Sequence, residues 1–142
     1  MFIKNILSRK GSDVIFVEPS CTIADVARLL AERRIGAVMV MEGDKIAGVM
    51  SERDVVRGVA ISGGKILDDS VDTLMTKTIV TCALNQHVNE ALAMMTERRI
   101  RHLPVVEDDK LLGMISIGDL VNARLNEVEQ EADALKTYIA TA

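Results

Sequence analysis

Residues 31–54 read AERRIGAVMVMEGDKIAGVMSERD, and residues 96–119 read TERRIRHLPVVEDDKLLGMISIGD. Displaced by 65 positions (48 to 113), the two stretches overlie without a gap. They share the pairs Glu32/Glu97, Arg33/Arg98, Arg34/Arg99, Ile35/Ile100, Lys45/Lys110, Gly48/Gly113, Ser51/Ser116 and Asp54/Asp119. Self-similarity over this length marks a duplicated structural unit, and two copies make a pair rather than a solenoid.

Each copy parses in the same way. A β-prone run (Val14 to Val17; Ile79 to Thr81) leads into an amphipathic helix, with Ile23, Val26, Ala27 and Leu30 on one apolar face and Val88, Ala91, Leu92 and Met95 on the other. Thr22 is placed to cap the first helix, with Asp25 at capping-box spacing, and His87 holds the equivalent position in copy two. Two strands follow, AVMVM and KIAGVM in the first copy, LPVV and KLLGMI in the second, joined by the short polar connectors EGD and EDD. The strands are apolar nearly throughout, as expected of a sheet covered on both faces. A helix begins at Ser51 and another at Ser116. The expected fold is therefore α+β, a β-α-β-β-α unit used twice. Copies of 50–60 residues are marginal alone, so they should pack together about a pseudo-twofold axis. The expected divisions are a lead-in at 1–11, repeats at 12–60 and 77–125, a linker at 61–76 and a helical tail at 126–142. In the linker VDTLM reads as one or two helical turns, and FIKNIL near the start reads as its counterpart.

Composition narrows the function. Among 142 residues, 49% are hydrophobic and 27% charged, a soluble globular balance. A net charge of −4 argues against duplex nucleic acid or an anionic membrane as partner. With Phe2, Phe16 and Tyr138 as the whole aromatic set, single-stranded bases have few stacking platforms. Cys21 and Cys82 stand apart and outside any CxxC, so they read as small apolar filler. No signal peptide or membrane span is recognised, and a reducing cytoplasm is the default.

The tandem G-h-h-S-x-x-D after a strand, with RRIGAV and RRIRHLPVV at equal distance upstream, resembles a pair of CBS (cystathionine β-synthase) domains. The resemblance covers roughly residues 12–125. It implies a regulatory module that binds AMP, ADP or ATP, or else NAD or S-adenosylmethionine. It also implies a homodimer acting on an effector protein, without an obligatory cofactor. Ser51 and Asp54, and Ser116 and Asp119, are then the binding pairs.

Physical chemistry supports such roles. One ionised carboxylate can accept both hydroxyls of a ribose, and a helix N-terminus offers unpaired amides to a phosphate. Gly48 would allow close backbone approach, and aliphatic residues at the strand ends, Met50 and Ile115 among them, would supply an adenine slot. The copies differ beyond that. Arg101, His102 and Pro104 stand where copy one has Gly36, Ala37 and Met39, which makes Arg101 and His102 the phosphate candidates of the second site; Gly36 and Ala37 hold the corresponding place in the first. Arg53, opposite Gly118, is the first site's cation.

A plainer reading accounts for the same residues. SERD and SIGD are S-x-x-[DE] capping boxes, and a carboxylate committed to its own cap is less available to a sugar. Arg33-Arg34 and Arg98-Arg99 suit the negative ends of their helices. No Walker loop, Ser-His-Asp trio or Cys/His cluster supports an enzyme. Three classes remain: ligand sensor, ligand-free dimeric scaffold, and a hydrolase working through Asp54 or Asp119.

Overall fold

The computed structural model describes residues 1–141. In chain order the elements are α1 (Ile3–Lys10), β1 (Phe16–Val17), α2 (Ile23–Arg33), β2 (Ala37–Glu42), β3 (Lys45–Ser51), α3 (Glu52–Ser62), 3-10 turns at Gly64–Asp68 and Val71–Thr73, α4 (Val88–Arg98), β4 (His102–Glu107), β5 (Lys110–Ser116) and α5 (Ile117–Thr141). They form two compact units that do not follow chain order. One comprises Asp13–Val80 with the hairpin tip Asp108–Leu111. The other comprises Met1–Ser12, Thr81–Glu107 and the chain from Leu112 on.

In the first unit β1 pairs parallel with β2, and β2 antiparallel with β3, with an irregularity between Val40 and Met41. α2 lays Ile23, Val26 and Leu30 on this sheet, where they meet Val38, Val40, Met50 and Val71 in one core cluster. Thr22 caps α2 through Oγ1, which accepts from the Asp25 amide at 3.1 Å. Asp25 does not close the reciprocal box; its carboxylate turns to Arg28 at 3.0 Å. VDTLM is a single 3-10 turn, and its Val71 is fully buried in the cluster, with its amide on the Cys21 carbonyl at 2.7 Å.

The second unit repeats the plan with one loss. Residues 79–81 form no strand, and only Cys82 makes an isolated parallel bridge to Val105. The cause is Pro104. In copy one the Met39 amide donates to the Ile15 carbonyl at 3.2 Å. Pro104, the residue at Met39's position, has no N–H to give, so the equivalent ladder bond cannot form. Cys82 lies beyond the gap, donating to the Pro104 carbonyl at 2.9 Å and accepting from Val106 at 3.0 Å. Burial pushes its thiol up to about 11, in keeping with filler rather than chemistry.

The lead-in segments change places. α1 belongs to the unit of the second repeat, burying Ile3, Ile6 and Leu7, and its first amides donate to Gln86 and Leu84 at 3.0 Å. The turn before the second repeat completes the core of the first. Both exchanges meet the duplicated motif at its glycine. A Cβ built at Gly48 would lie 2.6 Å from Met75 Sδ and 2.9 Å from the Thr76 carbonyl; one at Gly113 would lie 2.8 Å from Leu7 Cδ2. These glycines make room for the protein's own lead-in segments, which corrects the expectation that Gly48 serves the approach of a ligand.

Candidate functional site

Strand register builds each site. Ala37 is the cross-strand partner of Ser51, and the Glu52 amide donates to the Gly36 carbonyl at 2.9 Å. In copy two the Ile117 amide donates to the Arg101 carbonyl at 2.8 Å. The residue just before β2 or β4 is thus tied in both copies to the first residue of the S-x-x-D helix. Ala37 meets Ser51 and Gly36 meets Glu52 in one unit; Arg101 meets Ile117 in the other, with its side chain exposed.

The motif residues form the caps that their spacing allows. Ser51 Oγ accepts from the Asp54 amide at 3.1 Å, while Asp54 Oδ2 accepts from the Ser51 amide at 2.9 Å and its hydroxyl at 3.0 Å. Oδ1 of Asp54 receives Thr76 Oγ1 at a long 3.4 Å. Around Asp119 the Ser116 amide donates to Oδ2 at 2.9 Å, and the Asp119 amide donates to Ser116 Oγ at 3.1 Å. Here Lys10 of α1 adds a cation, its Nζ 2.6 Å from the same Oδ2 and 2.9 Å from the Met114 carbonyl. The corresponding carbonyl in copy one, that of Val49, accepts instead from the Thr76 amide at 2.9 Å. Burial alone would raise the Asp119 carboxyl. The Lys10 ammonium and the Ser116 amide and hydroxyl outweigh that and hold it below the usual carboxylate range.

A groove of about 220 Å³ opens beside this pair, between α1 and the start of α5. Ile6, Arg9, Lys10, Asp119, Asn122 and Asn126 line it. Sequence reading missed Arg9 and Lys10. Lys10 stands 109 residues before Asp119, and no local pattern joins α1 to the second repeat.

Two expected contacts are corrected. Met50 and Ile115 are fully buried, Met50 within the core cluster, so neither offers a wall to an adenine. Alternation along the strands turns Val49 and Met114, half-buried, the other way. Pro104 is buried, His102 half-buried at the head of β4, and Arg53 exposed on the first turn of α3; both His102 and Arg53 engage other groups of the chain. Among the described residues no group of three or more His, Cys, Asp or Glu is placed to hold a metal. No helix among them is long and apolar enough to cross a membrane.

Comparison with known proteins agrees with this architecture. The CBS domain family model matches residues 3–61 and 71–126. Over 146 aligned residues the chain is 30% identical to the mitochondrial CBS domain-containing protein CBSX3 of Arabidopsis thaliana, covering 96% of this chain and 71% of that protein. A CBS-domain containing protein of Agrobacterium tumefaciens has a similar structure, with a TM-score of 0.86 and 42% identity, over 87% of this chain and 99% of that one. A CBS domain protein of Pyrobaculum aerophilum complexed with AMP is similar at a TM-score of 0.73 and 27% identity, over 84% of this chain and 89% of that one.

Proposed function

The chain belongs to the CBS domain family, and from that membership we propose that it is a regulatory module binding an adenosine-containing ligand. The proposed ligand is an adenine nucleotide (AMP, ADP or ATP), held at the start of α3, of α5, or of both. NAD and S-adenosylmethionine are the other adenosyl candidates. Occupancy reports to an effector protein by favouring one conformation over another, since a ligand shifts only equilibria whose states it binds unequally. The role is regulatory rather than catalytic.

One observation carries this reading. The capping bond from the Ser116 amide and the bond from Lys10 both fall on a single oxygen of Asp119, Oδ2. A carboxylate has about four acceptor positions on two oxygens. The cap and a sugar diol therefore need not compete: Oδ2 holds the backbone while Oδ1 remains to accept hydroxyls. The helix N-termini beside Ser51 and Ser116 offer amides to a phosphate. Arg101 at the second site and Arg53 at the first supply positive charge, and the AMP complex of the Pyrobaculum relative makes adenylate the ligand to test first.

A second reading is favoured by the completeness of the caps. Each S-x-x-D closes its own box, so the motif has a structural role whether or not anything binds. In that case the protein is an interaction scaffold.

Calorimetry with AMP, ATP, NAD and S-adenosylmethionine separates the two. The sensor reading expects saturable heat with at least one of them. Asp54→Ala or Asp119→Ala should weaken it by roughly tenfold to a hundredfold, as befits lost hydrogen bonds to a charged acceptor worth about 1.5–3 kcal/mol each. Arg101→Ala should weaken phosphorylated ligands more than adenosine; equal loss for both would remove Arg101 from the phosphate. Absence of heat with all four ligands leaves the scaffold.

A further inference from the structure

Of the seven exposed large hydrophobic residues on α5, Ile117 and Tyr138 stand aside from a series of five: Val121, Leu125, Val128, Leu135 and Ile139. With exposed Ala132 they recur at intervals of four and three through to Ile139. This is an a/d heptad pattern with Leu125, Ala132 and Ile139 at a and Val121, Val128 and Leu135 at d. Beyond Val128 the other positions are polar or small, except Tyr138 on the flank. Such a narrow stripe is the signature of a two-helix seam, whereas a helix lying on a globular core shows a broader one. The core lies elsewhere. Leu120 and Ala123, buried at positions c and f, fix the start of α5 to its unit, and f faces away from the seam. Residues 128–141 are exposed throughout; a free helix of that length is marginal in water.

We propose that α5 pairs from Val121 to Ile139 with the same segment of a second copy of this chain, as a parallel, in-register, two-stranded coiled coil. Charge selects both the occupant and the direction. In the parallel arrangement position g faces the partner's position e five residues on, setting Arg124 against the partner's Glu129 and Glu131 against the partner's Lys136. By symmetry that gives four attractive pairs and no repulsive one. In the antiparallel arrangement centred on the same seam, g faces g and e faces e. Glu131 then meets the partner's Glu131, and Glu129 the partner's Glu129. The c and f attachment keeps each folded unit on the outside of such a pair.

The test uses the full chain in analytical ultracentrifugation. The expected result is a dimer that dissociates to monomer when Leu125→Glu and Leu135→Glu are combined. Both side chains are more than half exposed, so circular dichroism should show the repeats still folded. Lys136→Glu should raise the dissociation constant roughly tenfold, because two attractive pairs become repulsive, and adding Glu131→Lys should restore it. Ile139→Cys, oxidised, should give a disulfide between the two introduced thiols, identified by peptide mass. In the antiparallel pair those thiols would lie about 27 Å apart. A monomer at all concentrations, a dimer that survives the double glutamate variant, or a dimer without that disulfide overturns the proposal.

Discussion

Asp119 and Lys10 show how much a single residue can carry. The folded carboxyl titrates below its unfolded value, so the stabilisation it brings is complete above the unfolded value of about 3.9 and vanishes as pH falls through the folded one. Lys10→Met should therefore lower the denaturation midpoint at neutral pH, and the gap to the parent should close in acid. Both partners are partly exposed, at 39% and 24% for the side chains, which limits the loss to about 0.5–1 kcal/mol. A gap that persists unchanged at pH 2 would remove the ion pair as its cause. Copy one has no such lysine, and Thr76 approaches Asp54 at 3.4 Å instead. Ser51→Ala should cost about 1 kcal/mol through the lost cap, with little dependence on pH above 5. The caps were legible in the sequence because S-x-x-D is a local pattern. Lys10 was not, because its partner is distant in the chain and brought near only by packing.

At the scale of elements, the duplicated motif's glycines make a quantitative contrast. Gly48→Ala sets a methyl group against the backbone oxygen of Thr76, which is itself bound to Val49 and cannot yield. Gly113→Ala presses only on the branched end of Leu7, which can rotate. Chemical denaturation should show the first substitution costing about 2–3 kcal/mol and the second about 1 kcal/mol. Equal costs would mean that Met75 and Thr76 move as easily as Leu7. The helices and hairpins followed from the sequence, since their periods and turn residues are local. The hairpin of copy two turns through Asp108 and Asp109 at positive φ, a conformation that aspartate tolerates better than most residues. Strand facing did not follow. In KIAGVM and KLLGMI almost every residue is apolar, so alternation could not decide whether Met50 or Val49 faces the core. The missing strand at 79–81 was written in Pro104, but its effect appears only when Pro104 is matched to the donor that Met39 supplies.

At the scale of the molecule, the repeat displayed the family and the unit, because a matched frame of 24 residues leaves little freedom of register. It could not display the traffic of lead-in segments, which reverses the order of packing relative to the order of the chain. If α5 pairs as proposed, the melting temperature of the full chain should rise with protein concentration; a melting temperature independent of concentration over two decades would contradict that pairing. The exchange of segments has a consequence for biosynthesis. α1 leaves the ribosome well before the repeat that it packs on, and the strand carrying Gly113, against which Leu7 packs, follows about a hundred residues later. The buried core cluster of the first repeat is complete in the chain by Val71. The second must wait with an apolar helix unshielded, and that interval is when a nascent chain is most open to chaperones.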